Sequence, residues 1–121
     1  CTNFISQCLF SGGCAMDFTH TRGWYYRSAN DKAPAWTGAR FFGDYLLRAR
    51  RAEAVPLSGV LPGDVVQLSF DGQLFTHSLL AVEAGDAPDE GNIHIATHSY
   101  DSDYRPLNTY EYSKTRALHI L

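Results

Sequence analysis

Residues 62–83, "PGDVVQLSFDGQLFTHSLLAVE", decide the fold. Pro62-Gly63-Asp64 is a turn signal, and it feeds the apolar run from Val65 to Phe70. Asp71-Gly72 is a hairpin turn, because glycine tolerates the positive φ that such turns need. A second strand follows, in which alternation puts His77, Leu79 and Ala81 on one face. Two strands joined by a tight turn must pair antiparallel.

Downstream, "GDAPDEG" (85–91) is an acidic loop. "NIHIATHS" (92–99) alternates as a third strand, with His94, Ala96 and His98 sharing a face. "YDSDYRPLNTYEYSK" (100–114) reads as irregular, and "TRALHIL" (115–121) as a closing strand. Upstream, "TGARFFGDYLLRARR" (37–51) is a helix with Phe41, Tyr45 and Leu46 on an apolar stripe. "MDFTHTRGWYYRSANDKAPAW" (16–36) is a long aromatic loop broken by Gly23 and Pro34. In "CTNFISQCLFSGG" (1–13), positions 1, 4, 5, 8 and 9 fall on one helical face, and the glycines stop the helix. Helices first and strands later predict an α+β domain with an antiparallel sheet.

The 121 residues make one domain, large enough to build a core without metal or disulfide staples. The net charge of −3 argues against a dedicated nucleic-acid binder. The one basic cluster, Arg48–Arg51, suits a solvated helix end. No apolar run reaches the roughly 20 residues that cross a membrane, so no membrane insertion is expected.

The three cysteines, Cys1, Cys8 and Cys14, all fall in the first 14 residues, with no Cys-x-x-Cys. That pattern speaks against a disulfide framework or a zinc cage and leaves room for a nucleophile. Cys1 stands at a helix N-terminus, where unpaired N–H groups and the helix dipole favour thiolate. Cys8, in mid-helix, reads as inert core. A cysteine hydrolase also needs an imidazole and a group to orient it. His77 is the candidate base, and an antiparallel neighbour could set either His94 or His98 beside it. Asp101 and Asp103 are spaced as calcium ligands, but Arg105 falls where another oxygen is needed. His20 and His119 have no motif context, and no metal or cofactor is expected. The tyrosines, Trp24 and Trp36 read as core or loop packing.

"CTNFISQCLFSGG", "WYY" (24–26), "AWTGARFFGDYLL" (35–47), "PGDVVQLSF" (62–70), "THSLLAV" (76–82), "THSYDSDYRPL" (97–107) and "YSKTRALHIL" (112–121) together resemble the bacterial putative amidase domain family, of the NlpC-type, papain-like cysteine hydrolases. The resemblance runs the length of the chain in the family's order. It implies a papain-like fold with an N-terminal nucleophile helix packed on a small antiparallel sheet. It implies Cys1 as nucleophile, His77 as general base and His98 as the polar residue that orients the base.

The implied activity is hydrolysis of amide bonds in a peptide or peptidoglycan substrate, in a secreted or cell-envelope setting. The implied organisation is a single domain over 1–121. Members of the family carry an acidic residue and helical sequence before the cysteine, and this sequence starts at Cys1; a truncated upstream segment, proteolytic maturation and a true N-terminal nucleophile are the three expectations. Competing expectations keep the fold and change the task. One is an effector toxin acting on proteins as protease, deamidase or transamidase, with an inhibitor or immunity protein as partner. The other is a non-catalytic module that binds cell wall or a partner.

Overall fold

The computed structural model describes residues 1–97 and 102–121, and for 102–104 the backbone alone. Helix α1 (Thr2–Ser11) opens the chain. A short hairpin, β1 (Tyr26–Ser28) and β2 (Asp31–Lys32), leads to helix α2 (Pro34–Thr37) and helix α3 (Ala39–Arg48). Strands β3 (Ala52–Val55), β4 (Val65–Ser69), β5 (His77–Glu83), β6 (His94–Thr97), β7 (Ser102–Pro106) and β8 (Lys114–Ile120) follow. They form one six-stranded sheet in the order β3-β8-β4-β5-β6-β7, with every neighbour antiparallel. The domain is α+β.

The hairpin of residues 62–83 is the centre of this sheet, and each part of its sequence has a physical task. Gly63 takes φ +95°, which favours glycine. Asp64 is buried beneath it, accepting hydrogen bonds from the backbone N–H of Leu61 (2.9 Å) and of Ile120 (3.1 Å). His119 Nδ1 lies 3.0 and 3.1 Å from its two oxygens. One carboxylate thus ties the entry of β4 to the end of β8. At the far end, Asp71 Oδ1 accepts from the N–H of Gln73 and Leu74, and Gly72 takes φ +81°.

Alternation along β4 divides the interior in two. Val66 and Leu68 join Leu79, Ala81, Ile93, Ile95, Leu107 and Ala117 on the face away from the helices. Val65 and Leu118 face the helices and pack with Ile5, Leu9, Trp24, Trp36, Phe42 and Tyr45. On that same face Gln67 is fully buried, opposite Ser78 of β5 and Arg116 of β8. The helix side of the sheet is therefore apolar at one end and polar at the other.

Three local readings are corrected. The buried face of α1 is Thr2, Ile5, Ser6 and Leu9, turned from the stripe counted on apolar residues, because Thr2 and Ser6 make buried hydrogen bonds. In α3 it is Phe42 that enters the core, while Phe41 is 47% exposed. Strands β3 and β7 are additions to the strands expected. The Arg48–Arg51 cluster closes α3, and two of its members hold the preceding loop: Arg48 donates to Arg22 O and Arg51 to Ala15 O. No helix among the described residues is long and apolar enough to cross a membrane.

Gly43 of α3 tests this packing. A methyl group there would lie 2.1 Å from Arg116 Nη2 and 2.3 Å from Gln67 Oε1. Both atoms are held by each other and cannot move without giving up that bond. Gly43→Ala should therefore destabilise the fold by about 1–3 kcal/mol, despite alanine's better helix propensity. Gly59→Ala, whose methyl meets Val55 at an ordinary 3.4 Å, should change little. Urea denaturation of the two variants measures the difference.

Candidate active site

The polar end of the helix-facing surface borders the candidate site, while His77 pairs with Leu68 and falls with it on the other face of the sheet. Gln67 uses all of its hydrogen-bonding capacity. Its Nε2 donates to Ala39 O (2.7 Å) and Ser78 Oγ (3.1 Å), and its Oε1 accepts from Arg116 Nε (3.1 Å) and Nη2 (2.6 Å). Arg116 Nη1 reaches Asp44 of α3 at 3.3 Å. One row across three strands thereby grips α3. The row ends at α1, where Ser78 Oγ and Thr2 Oγ1 share a hydrogen bond of 2.9 Å between two buried side chains. Indoles hold α1 from the other side: Trp36 Nε1 donates to Asn3 Oδ1 (2.8 Å) and Trp24 Nε1 to Ser6 Oγ (2.9 Å).

Cys1 immediately precedes Thr2, and His77 immediately precedes Ser78. The Thr2–Ser78 bond therefore brings the start of α1 to the start of β5. Cys1 is the N-cap residue of α1. Among the described residues no side chain caps the helix, its first turn has no acidic residue, and Cys1 O accepts the first helical bond from Ile5 N (3.2 Å). The N–H groups of that turn are left for another acceptor. The half-buried thiol contacts Thr2 Oγ1 at 3.9 Å.

His77 is half-buried, with its ring centroid 6.4 Å from that of Phe70 and 6.0 Å from that of Tyr110. Burial pushes its imidazole below the ordinary value, and the positive charge of Arg105 adds to that shift. Arg105 stacks on Tyr110, 3.9 Å from the ring centroid. The Tyr110 hydroxyl is buried with no hydrogen-bond partner among the described residues.

The other candidates separate by register. His94 pairs with Glu83, at the far end of β5 from His77. Six residues of strand, about 20 Å, part the two histidines, so His94 is not beside His77. His98 lies outside the described residues, as does Asp101, while the side chain of Asp103 is not described. Thr97, which precedes His98, donates from Oγ1 to Ser78 O at 3.3 Å. His20 is exposed in a loop, and His119 serves Asp64. Cys8 is half-buried, and desolvation pushes its thiol pKa up. Trp24 and Trp36 are core. Among the described residues no group of three or more His, Cys, Asp or Glu could hold a metal ion.

Sequence reasoning missed Thr2, Ser78 and Gln67. The signal was present as polar residues on faces that enter the core: Thr2 and Ser6 in step with Ile5 and Leu9, and Gln67 in step with Val65.

The family described as "Putative amidase domain" matches residues 1–121. A curated relative, "Uncharacterized protein YhbB" of Bacillus subtilis (strain 168), is 36% identical over 115 residues, covering 87% of this chain and 35% of the relative. The chain thus spans about a third of the length of that relative. No solved structure matches.

The Thr2–Ser78 bond gives a test that separates its parts. Ser78→Ala leaves the Thr2 hydroxyl buried without its partner, at a cost of about 1–3 kcal/mol. Adding Thr2→Val replaces both partners by apolar groups and should recover much of that loss. A double-mutant cycle on the unfolding free energy measures the coupling. Strict additivity would mean that the bond does not join helix to strand.

Proposed function

We propose, from the premise that this chain belongs to the family described as "Putative amidase domain", that it is a thiol-dependent amide hydrolase of the NlpC-type, papain-like kind. One observation carries the reading: the buried Thr2–Ser78 hydrogen bond, which sets Cys1 at an uncapped helix tip next to the strand end that bears His77. The imidazole is biased toward its neutral form, which is the form that accepts a proton.

In the proposed mechanism His77 takes the Cys1 proton. The thiolate attacks the amide carbonyl, forming a carbon–sulfur bond and a tetrahedral oxyanion. The free N–H groups at the tip of α1 stabilise that oxyanion. His77 then protonates the departing amine as the carbon–nitrogen bond breaks. Water, activated by the same imidazole, cleaves the thioester and regenerates the thiol. His98 orients His77, with the resemblance as support for its role. The substrate class is a peptide amide, and stem peptides or cross-links of peptidoglycan are the proposed natural form.

Release of new amino groups from purified peptidoglycan tests the reading. Cys1→Ser and His77→Ala should each leave about a thousandth or less of wild-type turnover, with circular dichroism unchanged. Cys8→Ser and Cys14→Ser should keep most of it. A folded, active Cys1→Ser would overturn the assignment.

The pH dependence has a definite direction. Falling pH protonates His77 and stops proton acceptance, so kcat/KM should fall with a midpoint below the unperturbed histidine value of about 6.5. Between the lowered folded value and the unfolded value, the unfolded chain binds more protons. Stability should therefore rise with pH through that window, and the loss on the acid side should level off below the folded value. His77→Gln should remove that slope from the urea-unfolding profile.

A further inference from the structure

Beside the candidate site runs a groove of about 430 Å³, walled by residues 37–41 on one side and 74–76 on the other. Its position relative to the chemistry is fixed at both walls. Thr76 is the residue before His77. Ala39 offers its carbonyl to Gln67, which also binds Ser78, the partner of Thr2. The groove therefore borders the start of β5, with Thr76 in its wall directly before the proposed base in sequence.

Two side chains there are exposed against the usual direction of apolar residues. Phe41 is 47% exposed and Leu74 is 45% exposed. The placement of Phe41 is built in, since a methyl at Gly38 would come 2.9 Å from Phe41 Cδ2. A side chain at residue 38 would make the ring shift away from that wall. Phe75, half-buried, is held by Arg116 stacked 4.6 Å from its ring centroid.

A cation stands at the same wall. Arg40 lies over the Phe41 ring at 4.6 Å. The carboxylate one helical turn on, Asp44, is engaged by Arg116. Among the described residues no carboxylate pairs with Arg40. An apolar trough rimmed by an uncompensated guanidinium is complementary to an apolar side chain with a carboxylate nearby.

We infer that this groove is the subsite for the peptide flanking the scissile amide, taking an apolar side chain between Phe41 and Leu74 and a neighbouring carboxylate at Arg40. The inference rests on the Cys1–His77 reading and names its substrate class: acidic peptides with an apolar residue next to the carboxylate.

Alkylating peptides test it, with iodoacetamide as the reference that needs no subsite. The probes carry peptide on either side of the reacting carbon: iodoacetyl-Leu-Glu and acetyl-Glu-Leu-chloromethyl ketone, each with Gly-for-Leu and Gln-for-Glu counterparts. Rates of Cys1 labelling are read by mass spectrometry.

In at least one direction the Leu/Glu probe should react about tenfold or more faster than its Gly/Gln counterpart, the scale of an apolar pocket's discrimination. Phe41→Ala and Leu74→Ala should each erase the preference for leucine. Arg40→Gln should erase the preference for glutamate. All three should leave the iodoacetamide rate unchanged. Equal rates for all probes, with iodoacetamide still selecting Cys1, would overturn the subsite and leave the catalytic reading standing. Failure of iodoacetamide to select Cys1 in the folded chain would overturn both.

Discussion

A row of hydrogen bonds, Asp44–Arg116–Gln67–Ser78–Thr2, buried from Gln67 to Thr2 and exposed at Asp44, joins three strands to two helices. Apolar contacts hold helices on sheets without directional preference, and they tolerate small slides. A buried hydroxyl pair does not, since moving either partner leaves a polar group without a bond in a low-dielectric interior. The Thr2–Ser78 contact therefore fixes where α1 begins relative to where β5 begins. Everything proposed for Cys1 and His77 depends on that spacing.

The same row explains why the helix-facing surface of the sheet changes character along its length. At the Val65 and Leu118 end it is an ordinary core against Ile5, Leu9 and the two tryptophans. At the Gln67 end, polar groups are buried instead, each matched to a partner. That arrangement is costly unless complete, and Gln67 is complete. The carboxylate of Asp64 does comparable work at the opposite end of β4, tying β8 and the β3–β4 connection to one point. The central hairpin is thus anchored at both ends by buried polar side chains, and its other face carries the second apolar cluster.

Much of this was legible in residues 62–83. The turns at Gly63 and Gly72 and the antiparallel pairing follow from the residue types, but the connection is longer than the tight turn expected, since β5 starts at His77 rather than Gln73 and Leu68 pairs with His77. What was not legible has specific causes. Periodicity counted on apolar residues misplaced the buried face of α1, because Thr2 and Ser6 turn inward to make hydrogen bonds. Phe41 and Phe42 are adjacent, and composition alone does not say which one enters the core. Strand β3 buries one residue fully, Ala52, so its alternation is faint. That His94 lies away from His77 needed the strand register, which places it opposite Glu83. The resemblance named the putative amidase domain family, and the match over residues 1–121 bears out that part of it.

The central claim is that the Thr2–Ser78 bond makes Cys1 and His77 an interacting pair. The most direct measurement is the titration of the His77 ring by NMR in the folded chain, before and after alkylation of Cys1 with iodoacetamide. Alkylation removes the thiol's ionisation without touching the buried row. The account predicts that the His77 midpoint moves while those of His20 and His119 stay in place. An unmoved His77 midpoint would contradict it.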